Sequence, residues 1–311
     1  MDYLAEAKRI TRQYVAEHLP IAEGVYHGMP LAAYIADPCP VASINASTAT
    51  TILQQSALHA KAQHPRLNPL KEREDSSRLD IGTIAHALLL EDNDSRVVVI
   101  EADDWRTKAA KDARDAAWAA GKLPVLKEAY GDVIEMVRVA KEAIAASEVA
   151  NAFREAIPEQ TLLWEEEGVW HRSRPDKATP DWRVVFDYKT CGTSAAPAKW
   201  AKGPLLNYGY DIQSALGRRG ISHLFGIDQS LFIFIVQEIT APYAVSLISL
   251  DPQWIALADA KLQAALATWR GCMRTGVWPG YPSRVAYMQP PAWAETDWTY
   301  NLAEIDAEDV R

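Results

Sequence analysis

Residues 183–190, Arg-Val-Val-Phe-Asp-Tyr-Lys-Thr, restrict the possible fold of this chain more than any other stretch. Their apolar and charged side chains alternate with a period of two, which is typical of a β-strand, so residues two apart lie on one face. Asp187 and Lys189 therefore project from the same face of an otherwise apolar strand. Because an unpaired buried charge is costly, two charges at these positions indicate a functional site.

A second carboxylate precedes this strand. Asp176 follows Arg174-Pro175 at the predicted end of the previous strand, and Pro180-Asp181 predicts a turn between the two strands. Carboxylate oxygens are the ligands that Mg²⁺ prefers, and a bound Mg²⁺ lowers the pKa of an attacking water. Lys189 would position that water or stabilise developing charge. This spacing predicts a metal-dependent nuclease; the alternative is a surface turn aspartate and a strand-edge ion pair.

His86 and Gln213 are further candidates on predicted helices. His86 lies in the apolar helix 81–90, where an imidazole is either a packed core side chain or a ligand for Mn²⁺ or Mg²⁺ beside carboxylates. Gln213 lies in the helix after the Lys189 strand, and it either contacts a phosphate or the attacking water or is a surface amide. Trp105 and Trp200, in polar stretches, are candidates for stacking on bases.

Charged residues upstream of Asp176 have two interpretations each. Glu165 is a candidate accessory acid, although three successive glutamates usually form a solvated edge. Arg172 and Arg174 alternate with the Asp176 face, and they either meet phosphates or form salt bridges with residues 165–167. The net charge of −9 is evidence against a nucleic-acid partner, unless a basic groove is confined to one place.

Composition limits the remaining classes of protein. The chain has 311 residues, of which 49% are hydrophobic, and this predicts one large domain with a helical addition. No apolar run is long enough for a membrane span, and the first residues have no signal-peptide core. Three widely spaced cysteines predict neither a disulfide framework nor an iron–sulfur cluster, and they favour a reducing cytoplasm. Zinc-ligand spacings, phosphate loops and serine-hydrolase elbows are missing from the sequence.

The order of predicted elements is α, βββ, α, ββ, α, which predicts an α/β fold with a mixed central sheet flanked by helices. Residues 1–45 are predicted to be an irregular arm, residues 46–285 the main domain with a helical insertion at about 103–155, and residues 286–311 an acidic tail. Residues 71–80 are predicted to be solvent-facing. The predicted element bounds are a helix 47–57 capped by Ser43 or Asn45, three strands within 161–190, a helix 208–219 stopped by Gly220, strands 230–238 and 243–250, and a helix from Asp251 to Gly276.

Four ordered motifs resemble the PD-(D/E)XK nuclease superfamily and, within it, the RecE-type exonucleases of phages and prophages (exodeoxyribonuclease VIII-like). The motifs are Leu79-Asp80-Ile81-Gly82-Thr83-Ile84-Ala85-His86, Arg172-Ser173-Arg174-Pro175-Asp176, Asp187-Tyr188-Lys189-Thr190 and Tyr210-Asp211-Ile212-Gln213. The resemblance covers roughly residues 25–285. One difference is Gly217, which stands where the family often has a tyrosine.

The resemblance implies a restriction-endonuclease-like core and an exonuclease that uses Mg²⁺ (or Mn²⁺) to degrade one strand of linear double-stranded DNA from its 5′ end. It implies His86, Asp176 and Asp187 as metal ligands and Lys189 as the catalytic lysine, and it makes Gln213, Arg174 and Thr190 candidate substrate-binding residues. It also implies a homo-oligomeric ring around DNA ends and a single-strand annealing protein as partner. Within the superfamily, an endonuclease or repair nuclease remains open, as does a DNA-end-binding protein that does not cut.

Overall fold

The computed structural model describes residues 3–15, 21–70, 81–91, 94–296 and 298–299. The chain divides into two units, Met1–Pro279 and Gly280–Arg311. The stretch 71–80, the first two residues of the His86 motif and half of the predicted acidic tail (297 and 300–311) lie outside the described residues. None of the described helices combines the length and hydrophobicity needed to cross a membrane.

Helices and strands occur in separate runs along the chain. The helices are α1 Tyr3–Ile10, α2 Leu31–Ile35, α3 Ala46–Gln54, α4 Ala57–Gln63, α5 Ile81–Leu90, α6 Lys108–Ala119, α7 Lys127–Ala145, α8 Ala150–Glu155, α9 Pro197–Lys202, α10 Pro204–Asn207, α11 Tyr210–Phe225 and α12 Pro252–Thr275. The strands are β1 Thr11–Gln13, β2 Gly24–His27, β3 Val97–Ile100, β4 Leu123–Leu126, β5 Ile157–Pro158, β6 Thr161–Glu166, β7 Val169–Ser173, β8 Lys177–Ala178, β9 Val184–Cys191, β10 Leu231–Glu238 and β11 Val245–Ser249.

The predicted charged strand is β9, and it lies in the middle of a five-stranded sheet with the order β11-β10-β9-β8-β5. It runs parallel to β10, and the segment with α9, α10 and α11 forms the crossover between them. The other neighbouring pairs are antiparallel. The sheet is therefore mixed and has helices packed on it, which confirms the predicted α/β fold.

The two faces of this sheet bury different hydrophobic cores. Val185 of β9 and Phe234 of β10 pack into a core that includes residues of α11 and α12. Phe186 and Tyr188 pack into the opposite core with residues of α5 and α7. Because β-strand residues alternate between faces, Asp187 and Lys189 share the face of Val185, the face on which α11 packs.

A four-stranded sheet has the order β1-β2-β6-β7. The prediction of an irregular arm over residues 1–45 is wrong in this respect, because the arm contributes β1 and β2, and β2 pairs with β6. Residues 161–190 form four strands rather than three. The helix cap by Asn45 and the caps of α12 by Asp251 and Gly276 are confirmed.

The predicted stop at Gly220 is wrong, since α11 continues to Phe225 and ends at Gly226. A Cβ atom at position 220 would lie 2.7 Å from the Trp164 ring, so this glycine allows close packing of the helix. Trp200 is also not free to stack on bases, because it is buried in the core. The three cysteines, Cys39, Cys191 and Cys272, are free thiols and all of them are buried.

Candidate active site

Asp187 forms the centre of the site, on the central strand of the sheet. Its side chain is fully buried. Oδ2 accepts a hydrogen bond of 2.5 Å from Nε2 of Gln213 on α11, and Oδ1 forms an ion pair with Nζ of Lys189. Among the described residues, Oδ1 has no hydrogen-bond partner besides this ion pair. The strand thus brings the two charges together on one face, as its period predicts.

Asp176 lies next to this pair because β8 is hydrogen-bonded to β9. Its Oδ2 accepts a hydrogen bond of 2.7 Å from the backbone N–H of Tyr188, and its Oδ1 lies 3.1 Å from Nε2 of His86 on α5. The prediction that Asp176 ends the previous strand is wrong, because Asp176 immediately precedes β8. Side chains from β9, α5, α11 and the loop before β8 therefore converge.

The pKa values in the group follow from burial and from the neighbouring charges. Burial and the carboxylate of Asp176 raise the pKa of Asp187 to about 6, although Lys189 opposes the rise. Burial would raise the pKa of Asp176, but the charges of His86 and Lys189 hold it below its ordinary value. Burial disfavours the charged form of His86, yet the carboxylates of Asp176 and Glu159 outweigh it and raise the pKa to about 9. The four groups thus form two coupled ion pairs.

The donor atoms at this site fit a hard divalent cation. Within the described residues, Lys189 is the one partner of the buried carboxylate oxygen Asp187 Oδ1, and carboxylate oxygens are the preferred ligands of Mg²⁺. Within the described part of the chain, His86, Glu91 and Glu159 form one group whose ligand atoms all lie within 4.8 Å of one another. His86 thus has Asp176 on one side and two glutamates nearby, a mixed set that also suits Mn²⁺.

Lys189 has an aromatic neighbour in addition to its carboxylate. Its Nζ lies 4.8 Å from the centre of the Tyr210 ring, and the attraction of a cation to the face of an aromatic ring favours this arrangement. Lys189 and Gln213 both line a cavity of about 330 Å³, together with residues of α3 and the loop before α11. Groups that contact Asp187 are therefore accessible from this cavity.

Of the predicted substrate-binding residues, Arg174 already has internal partners. Its guanidinium donates hydrogen bonds to Glu159 Oε2 at 2.6 Å and to the backbone carbonyl of Met29 at 2.6 Å. It nevertheless contributes to the lining of the cavity beside Lys189. Thr190 follows Lys189 on β9 and lines a second cavity of about 750 Å³.

Two of the upstream predictions differ from the structure. Glu165, the candidate accessory acid, accepts a hydrogen bond of 2.5 Å from the backbone N–H of Gly168 and so closes the β6–β7 hairpin. Arg172 is buried, and it bonds to Ser43 and lies 3.4 Å from Asp37 rather than pairing with residues 165–167. The carboxylate that the structure does bring to His86 is Glu159, not Glu165.

The sequence patterns assign no role to Glu91, Glu159 or Tyr210, although Tyr210 begins the fourth motif. Glu91 directly follows α5 but lies five residues after His86, outside the i,i+3 and i,i+4 spacings of helix neighbours, so helical periodicity does not predict this contact. Glu159 has a left-handed backbone with φ of 57° in the loop between β5 and β6, where no periodic pattern exists to locate its side chain. Tyr210 lies one turn before Gln213 on α11, and its relation to Lys189 depends on how that helix packs against β9.

The fold and this charged group define a PD-(D/E)XK-type domain. Residues 47–291 match the family described as "PDDEXK-like domain of unknown function (DUF3799)", and the chain belongs to this family. The prediction of the PD-(D/E)XK superfamily is thereby confirmed, and this supports a nuclease; RecE-type membership stays a prediction. Among curated proteins, no sequence matches the chain.

One solved structure shares the fold over most of both chains. It is a protein from Eubacterium rectale that carries the name "Putative exonuclease", with a TM-score of 0.53 and 14% identity; the alignment covers 87% of this chain and 98% of that one. A second structure, SSO0001, is also 14% identical and aligns over 66% of this chain and 98% of its own, with a TM-score of 0.26 that is too low to indicate a common fold. At these identities the similarity concerns architecture only.

Proposed function

We propose that this protein is a metal-dependent exodeoxyribonuclease that degrades one strand of linear double-stranded DNA, in the 5′-to-3′ direction. The observation that carries the proposal is the pairing of Asp187 with Lys189 on the central strand, with Asp176 bonded to the same strand. An enzyme that hydrolyses phosphodiesters needs carboxylates for a cation and a positive charge near the attacked phosphate. The site offers both kinds of group at one position.

Each residue has a definite task in this proposal. His86, Asp176 and Asp187 would hold Mg²⁺ or Mn²⁺, which supplies a water of lowered pKa and neutralises charge on the phosphate. Gln213 orients the Asp187 carboxylate through the Nε2–Oδ2 hydrogen bond. Lys189, held by Asp187 and by the Tyr210 ring, places a positive charge beside the cavity. Arg174 and Thr190 line the two cavities next to Lys189 and would contact the substrate.

Support for exonuclease rather than endonuclease activity comes from the motif resemblance and from the shared fold with the E. rectale protein. The same resemblance supports a homo-oligomeric ring and a role in recombination, in which a single-strand annealing protein takes up the exposed strand. A ring also accommodates the net charge of −9, because only its channel needs to attract phosphates.

The direct test uses end-labelled linear duplex DNA and closed circular DNA, with the wild type, Lys189→Ala and Lys127→Ala. Lys127 also forms an ion pair, with Glu101, but its side chain is 69% exposed and it lines neither cavity, so its variant is the matched control. We expect Mg²⁺-dependent loss of nucleotides from 5′ ends by the wild type and the control, and at least about a hundredfold less from Lys189→Ala.

Three outcomes would contradict parts of the proposal. Cleavage of closed circles would indicate an endonuclease of the same superfamily. Equal activity of Lys189→Ala and Lys127→Ala would exclude the proposed catalytic lysine. Binding of DNA ends with no cleavage in Mg²⁺ or Mn²⁺ would indicate an end-binding protein.

A further inference from the structure

Two cavities meet at Tyr208, directly beside the proposed active site. The cavity of about 330 Å³ contains Lys189 and Gln213 in its lining. The cavity of about 750 Å³ is lined by the segment that follows β9 and by parts of α9 and α10. Tyr208 and Tyr210 line both cavities, so these two rings form the boundary between them.

The Tyr208 ring is exposed although the backbone around it is held tightly. Tyr208 is 67% exposed, and its neighbour Gly209 has a left-handed backbone with φ of 68°. A Cβ atom on Gly209 would lie 2.2 Å from Oγ1 of Thr50, so the chain passes directly against α3 here. The position of the exposed ring is thus set by close packing of the chain beneath it.

Behind Tyr208, aromatic rings continue into the core. The Tyr208 and Tyr210 rings are 5.6 Å apart, and Tyr210 is stacked on the buried Trp200 with centroids 5.8 Å apart and an interplanar angle of 13°. Tyr208 is the exposed end of this series. A base that stacked on it would add one more ring to an arrangement that is already ordered, at little cost in side-chain entropy.

The lining of both cavities suits a polyanion. Among the described residues, neither lining contains an aspartate or a glutamate, although the chain has 41 acidic residues. The first cavity has Arg172, Arg174 and Lys189, each paired with a carboxylate outside the lining. The second has Lys199, which is exposed and has no ion-pair partner in the described part of the chain. Cationic groups combined with an aromatic platform are the features that bind single-stranded nucleic acid, because an unpaired base offers its face for stacking.

We infer that the two cavities joined at Tyr208 form the path of a single DNA strand, with one base stacked on the Tyr208 ring and the backbone passing Lys199 on one side and Lys189 on the other. This inference rests on the proposed function, since it places the strand that is cut. It adds a binding site for an unpaired strand that extends beyond the metal site. Inside a fully paired duplex both faces of each base are stacked on its neighbours, whereas an unpaired base has a face free to stack on Tyr208.

Binding can be tested without hydrolysis. The probe is a fluorescein-labelled oligo-dT of about ten nucleotides, titrated in EDTA with the wild type, Tyr208→Ala, Tyr208→Phe and, as a control, Leu257→Ala on α12, which is 48% exposed and outside both linings. We expect Tyr208→Ala to bind about tenfold more weakly. Tyr208→Phe and Leu257→Ala are expected to match the wild type.

An abasic scan identifies stacking as the cause. In the wild type, one abasic position of the oligonucleotide should lower affinity by about the same factor as Tyr208→Ala, and in Tyr208→Ala that position should have no further effect. For Lys199→Ala, the slope of log affinity against log salt should fall by about 0.7, the contribution of one contacted phosphate of a single strand.

The outcomes for this inference and for the proposed function are separable. Equal binding of oligo-dT by the wild type and Tyr208→Ala overturns the strand path, even if the wild type digests DNA. Weaker binding by Tyr208→Ala together with no digestion in Mg²⁺ retains the strand path and rejects the nuclease. Equal abasic penalties in wild type and Tyr208→Ala overturn the stacking contact.

Discussion

Two buried carboxylates of this molecule, Asp37 and Asp187, each lie near a cation, yet they have different surroundings. Asp37 accepts hydrogen bonds from the backbone N–H and the hydroxyl of Ser43, at 2.8 and 2.7 Å, and it lies 3.4 Å from both Arg172 and His64. Both of its oxygens are therefore satisfied. This group joins the segment before α3, the end of α4 and strand β7.

Asp187 has fewer donors around it. In the described part of the chain it accepts one hydrogen bond, from Gln213, and its other oxygen has only the Lys189 ion pair. The cavity of about 330 Å³ does not distinguish the two groups, because Lys189 and Gln213 beside Asp187 line it and so does Arg172 beside Asp37. The comparison teaches that a carboxylate near a cation does not by itself mark a site. The missing donors around Asp187 separate the reactive group from the structural one.

The largest effect is expected for Asp37, the carboxylate with a structural role. Asp37→Ala leaves the buried guanidinium of Arg172 without its carboxylate, which costs about 3 to 5 kcal/mol in the free energy of unfolding. Urea unfolding measures the loss, with Glu101→Ala, an exposed partner of Lys127, as a control that should change stability by less than about 1 kcal/mol. Equal losses in the free energy of unfolding for Asp37→Ala and Glu101→Ala would contradict the structural role of Asp37.

The next largest effect is expected for Asp187, the carboxylate of the proposed active site. Asp187→Asn keeps the shape of the side chain but removes its charge, so DNA hydrolysis in Mg²⁺ should fall at least about a hundredfold while the protein stays folded. Asp211→Asn is the matched control, because Asp211 is also buried and also paired with a lysine, Lys261, but lies outside the group. A comparable loss of activity per folded molecule in both variants would show that the effect is structural.

The pH dependence of stability tests the region around Asp37 further, through His171, which precedes Arg172 on β7. Burial lowers the pKa of His171 to about 4, below its value of about 6.5 in an unfolded chain. The unfolded state therefore binds more protons between pH 6.5 and 4, so stability falls as the pH is lowered through this window. From the size of the shift, the loss at pH 4 relative to pH 7 is about 3 kcal/mol at most.

The variant for this titration is His171→Phe, which retains the ring stacked on Trp164. Chemical unfolding between pH 7 and pH 4 should show a shallower decline for His171→Phe than for the wild type. Parallel declines would mean that other groups cause the acid sensitivity of this region.

The smallest effect is expected at the start of α3, which lies next to the Asp37 group and to the cavity beside Lys189. Asn45 caps α3, because its side chain accepts a hydrogen bond of 2.9 Å from the backbone N–H of Thr48. It lies two residues after Ser43, the partner of Asp37, and it also lines the cavity beside Lys189. Asn45→Ala should lower the free energy of unfolding by about 1 kcal/mol, and Asn45→Asp, which retains the cap, should not. Thermal unfolding of the two variants measures this difference.

Local patterns were sufficient to predict the central strand, the helix caps and the α/β class. The alternation around Asp187 locates the strand, and the Asp251-Pro252 start and Gly276 end define α12, because each signal depends only on neighbouring residues. The face shared by Asp187 and Lys189 follows from the same period. These predictions require no knowledge of distant contacts.

Contacts between distant parts of the chain could not be predicted in this way. The pairing of Val25 with Leu162 joins residues far apart in sequence, so the local pattern of residues 1–45 predicts an irregular arm. Glycine is common at helix ends, so Gly220 predicts one, whereas its role depends on Trp164 from another element. Glu159 reaches His86 through a loop with a left-handed residue, and no sequence period describes such a loop.

The burial of all three cysteines gives an opportunity for optical experiments. Because Cys39, Cys191 and Cys272 are buried, a cysteine introduced at an exposed surface position would be the thiol most accessible to maleimide dyes. Position 257 on α12 is half exposed and lies outside both cavity linings. Leu257→Cys would therefore be labelled in preference to the three buried thiols, and single molecules could be followed as they arrive at and leave an immobilised DNA end.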